Sequence, residues 1–311
     1  MKLLRRCLLF LLSAFVWLGT CHAQKVLIVQ GEGNAGFAQA ASACVSAIGV
    51  AGFGASDIAV QSSGAFAASP PSGEPPRLVI TLGGEALTAV LKWIPPRSAL
   101  LAGLVPRSAF ERGVKDAGKR SGLALSAVYL DQPLVRQVDA MRLMFPNAKN
   151  VGVVFGPESQ SVQAVVASTL RSRNMELLAA QVGAGVSVYS ALKSALDSVD
   201  VFFALADPQV FNSTTIGNIL LTTYAAQVPV VAFSPAYVKA GALAAIYSSP
   251  VQIGGELGAI AAGFIQTGQL PSPRYPNEFE VMVNASVARS LGVTVDAAAV
   301  TERLKRMEKR P

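Results

Sequence analysis

The chain has 311 residues, 51% of them hydrophobic and 14% charged, with a formal net charge of +7. At about 100–200 residues per domain, that length accommodates two α/β lobes, each with its own core. Lys2, Arg5 and Arg6 fall in a segment expected to be removed, and Glu302 and Glu308 dilute the basic tail TERLKRMEKRP, so the balance describes a solvated terminal helix and argues against nucleic acid as a partner.

The start, MKLLRRCLLFLLSAFVWLGTCHAQ, combines a basic stretch with an apolar run from Cys7 to Leu18, followed by the small-residue signal Cys21-His22-Ala23. The run is too short to span a bilayer, and we read residues 1–23 as a signal peptide cut after Ala23. A lipoprotein box ending at Cys21 is the weaker alternative, because Thr20 fits poorly before a modified cysteine. No later stretch has the length and apolarity of a membrane helix, so the processed protein is expected in the periplasm without a membrane span. Cleavage removes the only histidine, His22, and leaves Cys44 as the one cysteine. No intrachain disulfide can then form, and Cys44, among the small helix formers of AQAASACVSAIG, reads as a core thiol. Without histidine there is no Ser-His-Asp or Cys-His site and no ordinary His-ligated metal centre, so neither catalysis nor a metal is expected.

The processed sequence alternates strand-like apolar runs with helix-length amphipathic ones, which implies α/β architecture with largely parallel sheets. KVLIV is the first strand, and a helix follows over 35–48. Between them, Gly31-Glu32-Gly33-Asn34-Ala35-Gly36 matches the dinucleotide pattern G-x-G-x-x-G. A dinucleotide site also needs an acidic side chain at the end of the second strand, but Asp57 precedes that strand (DIAVQ), at the wrong end. We read the glycines as a tight turn at the rim of a cleft, and no cofactor is expected.

SSGAFAASPPSGEPP reads as a loop by its Ser, Gly and Pro content. RLVITL leads through Gly83-Gly84 into a helix, EALTAVLKW. SALLAGLV ends at Pro106-Arg107, and LALSAVYL follows a short basic segment. The pattern then restarts. Asp131 is placed as the N-cap, with Pro133 in the first turn, of a helix reaching Met144. NVGVVF, MELLAAQV, DVFFALAD and PVVAFS are strands of a second series, with helices after GPES and over 187–196 and 213–226. ALAAIYS, a long helix over 251–266, a Pro-rich crossing, the strand FEVMV and helical tail segments finish the chain.

From about Tyr129 onward, MRLMFPNAKNVGVVFGPES, DVFFALADPQVFNS, QVPVVAFSPAYVKAGALAAIYS and FEVMVNASVARSLGV resemble the type I periplasmic binding proteins of ABC transporters, in the branch that includes aromatic amino-acid binders. The resemblance covers roughly the last 60% of the chain. It implies two doubly wound parallel-sheet lobes, joined by a three-segment hinge, that close on a small ligand without catalysis. The boundaries it suggests are 24–127 plus about 248–276 for lobe 1, and 128–247 plus about 277–311 for lobe 2. The first lobe departs in detail. QGEGNAGF stands where relatives carry a His-Pro-Ala-Leu-Asp-like stretch, and LVPRSAFER where a Thr-Asp-Pro-like loop is common.

In doubly wound sheets ligands lie beyond the carboxyl ends of the strands, which selects the candidate residues. Gly83 and Gly84 open a helix whose free N–H groups suit a carboxylate, or they form another tight turn. Ser159 and Ser161 bond a ligand or cap a helix. Asp207 matches the family's cleft-facing aspartate and would pair with a ligand ammonium, or it caps the turn before Pro208. Ser234 is similarly placed. Tyr237 and Tyr247 stack on a ligand or pack the hinge. Arg107 clamps an anion or bridges to Glu111 one helical turn on. The expected function is an exported solute binder that presents an amino acid or other small carboxylate to a membrane ABC permease. A periplasmic sensor for a signalling partner is the alternative, and a dinucleotide-dependent enzyme the third reading.

Overall fold

The computed structural model describes residues 25–118, 122–183 and 185–309. The signal peptide, its cleavage point and Cys21 lie outside the described residues.

Five apolar runs form one sheet, in the order β2 (Ile58–Ser62), β1 (Val26–Gln30), β3 (Leu78–Leu82), β4 (Ala99–Val105) and β5 (Leu125–Tyr129), every neighbouring pair parallel. Both faces are covered, so β1 and β3 are buried along nearly their whole length and carry unbroken runs such as LVITL. On one face, α1 (Ala35–Val50) packs beside α10 (Pro250–Thr267). Their meeting faces are lined by Ala40, Ala41, Cys44, Ile253, Leu257 and Ala261. The other face carries α2 (Ser63–Ala68), α3 (Gly84–Trp93) and α4 (Arg107–Asp116) over Leu27, Val29, Leu100 and Tyr129.

The second sheet has six strands in the order β11 (Glu280–Val283), β10 (Ala244–Tyr247), β9 (Val230–Ala232), β8 (Val201–Phe203), β6 (Asn150–Phe155) and β7 (Glu176–Gln181). Only β11 runs antiparallel. One face is covered by α5 (Leu134–Met144), α6 (Gln163–Arg171), α11 (Ala285–Ser290) and α12 (Ala297–Glu308), the other by α7 (Val188–Ala195), α8 (Ile216–Ala225) and α9 (Pro235–Ala240).

Three elements differ from the sequence reading. The Ser/Gly/Pro-rich stretch begins with a short helix, α2, because the Ser62 hydroxyl accepts the Ala65 N–H and nucleates its first turn. The short basic segment after β4 is the helix α4, amphipathic around a single buried Phe110. Asp131 does not cap α5, whose N-cap is Pro133 without a side-chain bond; the Asp131 carboxylate instead accepts the Arg107 N–H and caps α4.

The chain passes between the sheets three times: after β5, between β10 and α10, and between α10 and β11. One hydrogen-bonded cluster ties the three passages. The Gln132 amide donates to the Ser248 hydroxyl (2.8 Å), which donates to the Glu278 carbonyl (2.5 Å). Arg136, buried, donates to Gln132 Oε1 (2.6 Å) and the Pro276 carbonyl (3.0 Å), and forks onto Glu308 (2.5 and 2.9 Å). Its guanidinium lies 4.1 Å from the centroid of the Phe279 ring. A buried guanidinium needs this saturation, because each unpaired N–H would forfeit its bond to water.

Candidate functional site

The carboxyl ends of the parallel strands in both sheets lead into the segments that carry the residues selected from the sequence. On the five-stranded side, β3 ends in Gly83-Gly84. Gly83 has φ +96°, a conformation that belongs to glycine, and it is the N-cap of α3 without any side-chain cap. Its own N–H donates to the Gly103 carbonyl (3.0 Å). A second reason for glycine is the Phe37 ring. A Cβ on Gly83 would stand 2.7 Å from Phe37 Cε1, and one on Gly31 2.7 Å from Phe37 Cε2. The half-buried ring therefore rests on the ends of two adjacent strands, β1 and β3. This explains most of the dinucleotide-like pattern: Gly31 admits the ring, Gly33 takes φ +76°, and the Gly36 N–H is capped by Asn34 (2.8 Å).

Next along the sheet, the end of β4 is irregular. The β4–β5 register shifts between Gly103 and Val105, and Leu104 adopts φ +54°, an uncommon conformation for a branched side chain. Beyond it, Arg107 is exposed and already engaged: Nε meets Glu111 (2.7 Å) and Nη1 meets the Tyr275 hydroxyl (3.3 Å), contacts that hold its pKa above the ordinary value, Tyr275 more than Glu111. Of the two roles read from the sequence, the helical bridge to Glu111 is the one formed. Burial raises the Asp131 carboxyl above its ordinary range, against the opposing Arg107 N–H bond. Glu32, at the end of β1, is held below that range by Ser62 and the Gly64 N–H.

On the six-stranded side, Asp207 is 1% exposed. Its Oδ2 accepts the Glu158 N–H (3.0 Å), the Ser159 N–H (2.9 Å) and the Ser159 hydroxyl (2.9 Å), and its Oδ1 accepts the Gln209 N–H (3.0 Å). The carboxylate sits so close beneath the turn after β6 that a Cβ on Gly156 would lie 2.5 Å from Oδ1. Asp207 thus knits two turns together, with its charge spent on protein donors rather than turned toward a ligand ammonium. Ser159 is buried in the same network, while Ser161 is exposed on the following turn. Ser234 is half-buried at the start of α9 and does not cap it.

Tyr237 belongs to an aromatic cluster, edge-on to Phe233 at 4.9 Å and to Phe211 at 6.2 Å, and its burial raises the phenol pKa. Tyr247, at the end of β10, donates to Glu280 (2.8 Å); burial first, then that bond, pushes its pKa up to about 12. So Gly84, Ser161, Ser234 and Tyr247 follow strand ends with surface open to solvent and Gly83 is buried beneath Phe37, whereas Ser159, Asp207 and Tyr237 serve the packing.

Sequence reasoning missed Phe37 and Leu104, the apolar groups at the ends of β1, β3 and β4. It also missed a link between the lobes: Arg112 on α4 forks onto Glu158 in the turn after β6 (3.1 and 3.5 Å). The glycines at 31 and 83 were the available signal for Phe37, since two strand ends stripped of side chains leave room for a ring.

Among the described residues there is no cluster of His, Cys, Asp and Glu suited to a metal, and no helix is long and apolar enough to cross a membrane. The chain is similar in structure to CD0873, a substrate binding protein with adhesive properties from Clostridium difficile, in its ligand-free, open form (TM-score 0.68, 16% identity, 88% of this chain and 96% of that one). It is also similar to a conserved domain protein from Vibrio cholerae (0.61, 20%, 90% and 98%). A third similar structure is an ABC domain from Streptococcus pneumonia in complex with L-Trp (0.60, 14%, 89% and 97%). These share the two-lobed type I periplasmic binding fold. No curated protein matches the chain in sequence. The family model for ABC transporter substrate binding protein matches residues 113–305, well over half of the chain, and the chain belongs to that family of binding proteins, which are not enzymes.

Proposed function

We propose that the protein is exported, closes its two lobes around a small ligand, and presents that ligand to a membrane ABC permease. The observation that carries this reading is the hinge: two sheets are joined by three passages fastened at Gln132, Ser248 and Glu278, and the turn after β6 meets α4 through the Arg112–Glu158 contact. Closure is then a rotation of two rigid lobes about a few residues, favoured by ligand contacts that only the closed form makes.

Residues 24–127 with about 248–276 would move as one lobe, and 128–247 with about 277–311 as the other. The uncapped start of α3 at Gly83-Gly84 suits a ligand carboxylate, because its free N–H groups and helix dipole favour negative charge. Phe37 and Leu104 would meet the ligand's apolar part. Ser161, Ser234 and Tyr247 would supply hydroxyls from the opposite lobe, and Arg107 could release Glu111 for a ligand anion. The carboxylate preference agrees with the L-Trp bound by the similar Streptococcus domain.

A thermal-shift screen of protein that has been unfolded and refolded tests the reading, with amino acids, small carboxylates, phosphonates, nucleosides, sugars and NAD as probes. A ligand present at about 100 times its Kd adds about 2.7 kcal/mol of stability, a clear rise in Tm. A rise with carboxylates that Gly83→Ala abolishes supports the site. Binding of sugars alone moves the site away from Gly83-Gly84, and binding of NAD alone rejects the solute-binding role.

A further inference from the structure

Arg112 and Glu158 belong to different lobes, 46 residues apart, and their pairing is two-pronged: Nη1 to Oε1 at 3.1 Å and Nη2 to Oε2 at 3.5 Å. Neither group depends on the other for its place. On one side, Asp131 accepts the Arg107 N–H and fixes the start of α4, while Phe110 anchors the helix in the core. On the other, the buried Asp207 carboxylate holds the Glu158 N–H and both donors of Ser159. Each lobe thus presents a charge on a rigid turn or helix rather than on a loose loop, so less side-chain and backbone freedom is lost when the charges meet.

We propose that Arg112 and Glu158 form a clasp that favours the closed arrangement of the lobes before any ligand binds, and that Asp207 is the positioning residue that presents Glu158 to it. This rests on the lobe-closure reading above. The two side chains are 53% and 28% exposed here and would be fully hydrated apart, so the clasp acts on the open-to-closed ratio without fixing it. Exposed ion pairs of this kind support about a 1.4- to 5-fold change in such a ratio. Ligand capture scales with the closure-competent fraction, so apparent affinity follows the ratio. Affinity for even an uncharged ligand would consequently weaken as salt screens the pair.

The lobe–lobe distance can be read without knowing the ligand. Spin labels at Thr88→Cys on α3 and Ser168→Cys on α6 of the processed protein report it by double electron–electron resonance; its one native cysteine, Cys44, is buried and stays unlabelled. Glu158→Gln and Arg112→Gln should each raise the open-to-closed ratio about 2- to 5-fold at about 0.01 M salt, and have little effect at about 1 M, where the screening length is about 3 Å. The exchanged pair, Arg112→Glu with Glu158→Arg, should recover most of the closed fraction. Asp207→Asn should raise the ratio in the parent protein but not in Glu158→Gln, whereas a merely structural role would give the same change in both. Two distances whose ratio neither substitution nor salt moves would overturn the clasp and leave lobe closure standing, as would failure of the exchanged pair to recover. A single distance in every variant and salt would overturn lobe closure itself, and the clasp with it.

Discussion

Gln132 and Ser248, 116 residues apart in sequence, are joined by a 2.8 Å hydrogen bond at the point where the chain changes lobes. Ser248 relays the contact to the Glu278 carbonyl, so a single hydroxyl touches all three passages. Both Gln132 and Ser248 are buried, and water has little access to whichever group loses its partner. We expect Ser248→Ala to cost about 1–3 kcal/mol, the penalty of leaving the Gln132 amide and the Glu278 carbonyl unsatisfied. Urea unfolding followed by tryptophan fluorescence checks this, since Trp93 reports on the five-stranded lobe. An unchanged midpoint would show that the hinge repacks around the loss.

Arg136 makes a second demand on the same region. Its side chain is 5% exposed, and Glu308 at the end of α12 neutralises it. Removing one partner of a fully buried pair costs about 3–5 kcal/mol, but Glu308 is 38% exposed, so solvent already shares that charge. We therefore expect about 1–3 kcal/mol for Glu308→Ala. The loss should be matched by a chain shortened to Arg306. A shortened chain with full stability would mean that the Gln132, Pro276 and Phe279 contacts suffice for Arg136.

Much of this architecture was legible in the sequence, for a physical reason. Strands buried on both faces read as unbroken apolar runs, so β1, β3, β4 and β6 declared themselves. Helix ends, and short helices with little buried surface, were harder. α4 was hidden because RSAFERGVKD buries one side chain, Phe110, and its cap comes from Asp131, 24 residues from Arg107. The site was legible only in part. Position after a strand selected Gly83, Ser159 and Asp207 as candidates, but it could not say which way a carboxylate turns. Asp207 faces inward because the turn after β6 offers it three donors at once. Phe37, the clasp and the hinge cluster depend on contacts between distant segments, which local patterns do not encode.

Phe37 and Gly83 should show strong coupling. In Gly83→Ala the new methyl meets the ring at 2.7–2.8 Å, and φ +96° strains any residue but glycine. The strain alone is worth about 1–3 kcal/mol. Phe37→Ala would relieve the clash but not the strain. The double variant should accordingly be less destabilised than the sum of the single variants, by about 0.5–3 kcal/mol. Thermal unfolding of the four proteins measures this. Simple additivity would place the Phe37 ring elsewhere.

Tyr247 gives a signature at alkaline pH. Burial and the bond to Glu280 raise its pKa from 10.0 to about 12, because the anion would lose hydration and face a carboxylate. The folded state therefore holds the phenol proton more tightly than the unfolded state does. Its contribution to stability is complete below the unfolded pKa, and it declines as pH rises from about 10 to about 12, where the unfolded chain has already released the proton. Tyr247→Phe keeps the ring and has no proton to lose. We expect it to flatten the fall in stability with pH over that interval, and to remove one late-titrating tyrosine from the ultraviolet absorbance titration. If the variant keeps both the slope and the late titration, Tyr247 ionises freely, and its bond to Glu280 is not maintained in solution.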